Sequence, residues 1–96
     1  MEIKIQSVKF DADQKLIDFV EKKFSKLERF HDGITSVEVV LSLLNDNLNK
    51  NVKLIVGIPG NTAVVERKGK TFEDAVNEAA DIMKEKLTRI KEKQAE

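Results

Sequence analysis

Between Asp11 and Gly33 the apolar residues Leu16, Val20, Phe24 and Leu27 recur at spacings of four, four and three, with Ile17 beside them. A backbone that turns about 100° per residue brings these onto one side, so the stretch predicts an amphipathic helix with one face committed to a core. Lys15, Lys22, Lys26 and Arg29 form a second stripe roughly a third of a turn away, with Lys23 on its near flank. The rest of the chain must supply the apolar surface that this helix covers. Asp11 or Asp13 suits the N-cap, where a short side-chain oxygen accepts from a free backbone N–H. A stop is expected at His31–Asp32–Gly33, with the glycine in the left-handed conformation that ends many helices.

That apolar surface lies in strands on either side. Ile3 and Ile5 alternate with polar neighbours over residues 2–10, and the apolar phase then shifts to Val8 and Phe10, so a bulge or strand end is expected near Ser7. Residues 34–44 are rich in branched side chains, with Val37, Val39, Leu41 and Leu43 on one face. After the polar loop 45–51, Val52, Leu54, Val56 and Ile58 alternate as a third strand, and Pro59–Gly60–Asn61 signals a turn into a fourth strand over Thr62 to Arg67. The second helix opens at Thr71, with Asp74 three residues on as in a capping box. Its buried stripe is Phe72, Val76, Ala79, Met83, Leu87 and Ile90. The order is β-α-β-β-β-α. It predicts an α+β fold, a four-stranded mixed sheet with a parallel first pair and both helices packed on one face. Ninety-six residues hold one such core, so residues 1–96 are expected to be a single domain.

The candidates for chemistry are few. No cysteine is present, which excludes disulfides, thiolate metal sites and cysteine nucleophiles. His31 is the only histidine; at a helix end it reads as a capping or surface residue rather than an acid–base group. Gly57, Gly60 and Gly69 are dispersed around turns and make no phosphate loop. Phe10, Phe24 and Phe72 sit on apolar faces as core residues, and Phe19 and Phe30 at the border of the basic stripe are read the same way. No enzyme activity and no cofactor are expected. The N-terminal MEIKIQ has neither the basic start nor the apolar run of a leader, and no apolar stretch spans a bilayer, so a soluble cytoplasmic protein without a membrane partner is expected.

Charge remains. Seventeen basic and seventeen acidic residues cancel, so a nucleic-acid partner must be argued from where cations sit. Lys22, Lys23, Lys26 and Arg29 group on the first helix. On the second, Lys86, Arg89 and Lys93 line one flank of the apolar stripe and Lys84 with Lys91 the other. Helices packed side by side could join these into one positive band that contacts phosphates, or the lysines simply solvate a helix surface. A protein-interaction module is the alternative of another class. It would use an edge strand or the uncovered sheet face, with Ile55 and Val65 apolar there; a weak homodimer through that face is left open.

The run Leu16 to Phe30, LIDFVEKKFSKLERF, resembles the first helix of the short ribosome hibernation-promoting factors, or ribosome-associated translation inhibitors, of the sigma-54 modulation protein family. Lys23, Phe24, Lys26 and Leu27 fall on positions of that family's pattern, as do VEVVL at 37–41 and Asp81, Met83, Leu87 and Arg89 in the last helix. The resemblance spans essentially the whole chain and implies a fold similar to double-stranded RNA-binding domains. It further implies a protein that binds the small ribosomal subunit in the mRNA and tRNA channel, with no DNA partner. Such a protein inhibits translation by steric occlusion and stores ribosomes in stationary phase or stress. Lys23, Lys26 and Arg89 are the contacts it implies to ribosomal RNA phosphates; the charge pattern adds Lys22, Arg29, Lys84, Lys86 and Lys91. Ile82 and Glu85 stand where the family usually has basic residues, which implies either weaker binding or a load shifted to Lys84, Lys86 and Lys93.

Overall fold

Each element forms where its pattern and caps direct it. The computed structural model describes residues 2–94. Strand β1 spans Ile3–Val8, helix α1 Gln14–Ser25, and strands β2, β3 and β4 span Ser36–Leu43, Lys50–Ile58 and Asn61–Gly69. Helix α2 spans Phe72–Gln94. The order is the expected β-α-β-β-β-α. The strands lie in the sequential order β1-β2-β3-β4, with β1 parallel to β2 and the other pairs antiparallel.

β1 runs straight past Ser7 and pairs with β2 through Val8. Of the two alternatives near Ser7, the strand end holds: β1 stops at Val8, and Lys9, with φ of 67°, turns the chain through the left-handed region. A non-glycine residue there costs about 1–2 kcal/mol, which the flanking strand and the Phe10 contact described below offset. At the start of α1 the Asp13 Oδ1 accepts the Leu16 N–H at 2.9 Å, so Asp13 is the N-cap. The helix is shorter than its apolar stripe suggests. After Ser25 the chain tightens into a 3-10 turn, η1, over Lys26–Arg29, closed by the Phe30 N–H on the Leu27 carbonyl at 3.0 Å. Gly33 takes no left-handed conformation, contrary to expectation; among the described glycines only Gly60 does, with φ of 75° at the β3–β4 turn.

The helices cover one sheet face. Val20 and Phe24 of α1 and Leu27 of η1 pack against Val37, Val39 and Leu41 of β2, Val52, Leu54, Val56 and Ile58 of β3, and Ala63 and Val65 of β4. From α2 come Phe72, Ala75, Val76, Ala79, Met83 and Leu87. Each fully buried side chain of Leu or Phe size stabilises the fold by roughly 1.5–3 kcal/mol. Leu43, expected on this face, is 39% exposed, because it lies at the end of β2 beside the loop. The register also corrects Val65. The turn pairs Ile58 with Asn61, so Leu54 meets Val65 and Ile55 meets Val64. Val65 therefore enters the core at 5% exposure and Val64, at 41%, joins Ile55 on the uncovered face.

Candidate nucleic-acid interface

Contacts at both ends set the helices side by side. At their N-terminal ends Asp13, Leu16, Phe19 and Glu73 line one shallow groove, and the Phe10 ring stacks on Phe72 with centroids 5.0 Å apart and planes within 12°. Beyond α1, the Lys84 ammonium stands 5.0 Å from the centroid of the Phe30 ring. The Lys91 Nζ lies 3.8 Å from the Asp32 carboxylate. The helices thus run in the same direction, and α2 continues past the end of η1.

On α1, Lys22 is exposed in a groove shared with Glu2, Ile3, Asp18 and Glu21 at the β1 edge. Lys23 is half-buried and Lys26 and Arg29 are exposed. The 3-10 geometry of η1 matters for the last two. With three residues per turn, side chains at i and i+3 eclipse, so Lys26 and Arg29 stack on one face while Leu27 and Phe30 stack on another. None of the four cations forms an ion pair among the described residues.

On α2 the cations divide. Lys84 and Lys91 face α1 and η1, as their contacts to Phe30 and Asp32 require. Lys86 lies on the opposite flank, where its Nζ donates to the Val64 carbonyl at 2.9 Å. That carbonyl belongs to the edge strand β4, so Lys86 covers an edge group that a sheet neighbour would otherwise bond. Arg89, three residues on, lines a groove with Lys86, Ile90, Glu92 and Lys93 on this same flank. Between the two flanks Asp81, Glu85 and Glu92 are exposed at helical spacings of four and seven, forming an acidic ridge.

The eight candidate cations therefore do not make one continuous band. Lys84 and Lys91 lie on the flank of α2 that faces the α1–η1 side, and Lys86 and Arg89 lie behind the ridge on the other; Lys22, Lys23, Lys26 and Arg29 are carried by α1 and η1, with Lys22 towards the β1 edge. Lys84, Lys86 and Lys91 each already have a partner within the chain, and the other five have none among the described residues. The Lys91–Asp32 pair is exposed on both sides, and such pairs contribute roughly 0–1 kcal/mol. The sequence pattern did not single out Asp32 or the eclipsing of Lys26 and Arg29. Only the break before His31–Asp32–Gly33 hinted that the last turn departs from α geometry.

His31 is no surface residue. It is 5% exposed, with Nδ1 accepting the Gly33 N–H at 2.9 Å and Nε2 buried without a partner. Its ring is enclosed beside Pro59, and a Cβ on Gly33 would come within 3.0 Å of both. Among the described residues no three His, Asp or Glu side chains are placed to share a metal ion, and no helix is long and apolar enough to cross a membrane.

Known proteins are similar to this chain in sequence and in fold. The family described as sigma 54 modulation protein / S30EA ribosomal protein matches residues 3–95. A ribosome hibernation promoting factor from Azotobacter vinelandii is 31% identical over 96 residues, covering 100% of this chain and 88% of that protein. One from Pseudomonas putida is 29% identical over 94 residues, covering 98% and 90%. Among solved structures, the N-terminal domain of Thermus thermophilus Protein Y superimposes with a TM-score of 0.82 at 28% identity, covering 94% of this chain and 99% of that one. A ribosomal subunit interface protein from Coxiella burnetii shares the fold with a TM-score of 0.81 at 22% identity, covering 95% and 98%. The chain belongs to the sigma 54 modulation protein / S30EA ribosomal protein family, and its hibernation-promoting members are among its relatives.

Proposed function

We propose that this protein binds the small ribosomal subunit in the channel for mRNA and tRNA and inhibits translation by occupying it, stabilising inactive ribosomes in the cytoplasm under stress or in stationary phase. The reading is supported by family membership together with one structural observation. Lys22, Lys23, Lys26 and Arg29 lie within eight residues of one another on the helical side, uncommitted to any ion pair among the described residues. Free ammonium and guanidinium groups at this density are suited to RNA backbone phosphates, which are contacted without reading sequence. The balanced overall charge is no obstacle, because contacts of this kind act within a Debye length of about 8 Å.

In this reading Lys84 and Lys91 widen the contact once phosphate displaces Phe30 and Asp32. Both existing partners are weak, so the exchange costs little. Arg89 reaches a separate stretch of backbone beyond the acidic ridge, with Lys86 beside it. No bond is made or broken; the protein acts by filling space. Co-sedimentation with purified small subunits tests this. Binding is expected at low salt, to weaken steeply as salt rises, and to compete with bound mRNA. Absence of binding at low salt, or binding alongside mRNA, overturns it.

A further inference from the structure

The sheet face away from the helices carries a pattern of its own. At its centre four residues form a square. Val40 of β2 is paired with Lys53 of β3, and Glu38 of β2 with Ile55 of β3. The apolar pair Val40 and Ile55 therefore occupies one diagonal and the charged pair Glu38 and Lys53 the other. Val64 of β4 lies directly across from Ile55, off the diagonal, and is 41% exposed. Lys4 is the register neighbour of Glu38 and Glu66 that of Lys53, yet neither couple forms an ion pair among the described residues. Glu66 is held instead by the Asn51 amide, Nδ2 to Oε2 at 2.9 Å. Glu38 and Lys53 are thus left without a partner among the described residues, on a face that is half apolar at its centre.

This arrangement is complementary to itself. A two-fold axis along the Val40–Ile55 diagonal sets Val40 against Val40 and Ile55 against Ile55. The same rotation carries Glu38 onto Lys53 of the second copy, and Lys53 onto its Glu38. The strands of the two copies then cross steeply, towards the orthogonal class of sheet-on-sheet packing, and the contact is isologous as a closed dimer requires. We infer that the open sheet face is a homodimer interface, in which Glu38 and Lys53 form two symmetry-related ion pairs around an apolar centre of Val40 and Ile55.

Its size limits its strength. Four strands about 4.8 Å apart, each about eight residues long at about 3.3 Å per residue, give a footprint of roughly 500 Å². Stable complexes bury about 800 Å² per partner. The dimer is therefore weak and concentration-dependent. It leaves the helical face of each copy outermost, so it stands apart from the proposed ribosome contact.

Sedimentation equilibrium of the full chain from micromolar to millimolar concentration tests the inference, with folding of every variant checked by circular dichroism. The wild type is expected to associate reversibly, and Glu38→Lys and Lys53→Glu each to remain monomeric, since either change sets like charges at both contacts. An equimolar mixture of the two variants is expected to associate again, because each then offers the other opposite charges at both positions; the double variant Glu38→Lys/Lys53→Glu recovers for the same reason. A wild type that stays monomeric at millimolar concentration overturns the inference and leaves the face to another partner. So do single reversals that associate like the wild type, or a mixture that does not recover.

Discussion

The ammonium of Lys84 stands over the ring of Phe30, 5.0 Å from its centroid. The pair spans the groove between η1 and α2, as the Lys91–Asp32 pair does further along α2. It also withdraws Lys84 from the set of free cations. A cation over an aromatic face at an exposed site contributes about 0.5–1 kcal/mol. A double-mutant cycle with Lys84→Ala and Phe30→Leu, followed by urea unfolding, is expected to give a coupling of about that size. Additive single effects would show that the two side chains are merely adjacent.

His31 is expected to matter for stability. Removing its ring takes the acceptor from the part-buried Gly33 N–H and empties the space that the buried ring fills. His31→Ala is expected to cost about 1–3 kcal/mol for the unpaired donor alone. Urea titration measures it, and a change under about 0.5 kcal/mol would match an ordinary surface position instead.

Adjacent valines read the sheet register. Val65→Thr buries a hydroxyl in the core, at about 1–3 kcal/mol, whereas Val64→Thr on the uncovered face is expected to stay within about 0.5 kcal/mol. Thermal unfolding of the two variants separates them. Equal costs would contradict the pairing of Leu54 with Val65.

Asp46 ties the β2–β3 loop to β4. The hydrogen bond from Lys68 at 2.9 Å, then that from the Asn47 N–H and the charge of Lys68, hold its carboxyl below the ordinary 3.8. A carboxyl lowered on folding stabilises the fold above its unfolded value, and that contribution is lost as pH falls through the lowered one. An NMR titration is expected to place the Asp46 midpoint under 3.8, and Lys68→Ala to move it upward. A midpoint that ignores Lys68 would show the pair to be absent in solution.

Much of the fold is legible in the sequence because periodicity and caps are local. The alternation of Val52, Leu54, Val56 and Ile58 and the stripe from Phe72 to Leu87 lead directly to the core, and Asp13 and Thr71 act as the caps their chemistry suggests. The Thr71 Oγ1 accepts the Asp74 N–H at 3.1 Å. What the sequence leaves open depends on contacts between distant segments. Val64 and Val65 are equivalent in pattern until the Ile58–Asn61 pairing fixes which faces inward. Lys26 and Arg29 read as successive α-helical positions until η1 tightens and aligns them. The division of Lys84 and Lys91 from Lys86 and Arg89 is implicit in helical spacing, but which flank faces η1 and which faces β4 emerges only from packing. His31 looks like a helix-end surface residue because its burial, at 5% exposure, arises only from tertiary packing.

The most direct measurement of the central claim is the salt dependence of binding to purified small subunits. It would compare the wild type with Lys26→Ala/Arg29→Ala, using Lys4→Ala/Lys53→Ala as a control that removes equal charge from the opposite face. Each lost phosphate contact lowers the slope of log K against log salt by about 0.7–0.9. The predicted result is a slope shallower by roughly 1.4–1.8 in the first variant and unchanged in the control. Equal slopes in all three proteins, or a loss confined to the control, would contradict the assignment of the helical face to ribosomal RNA.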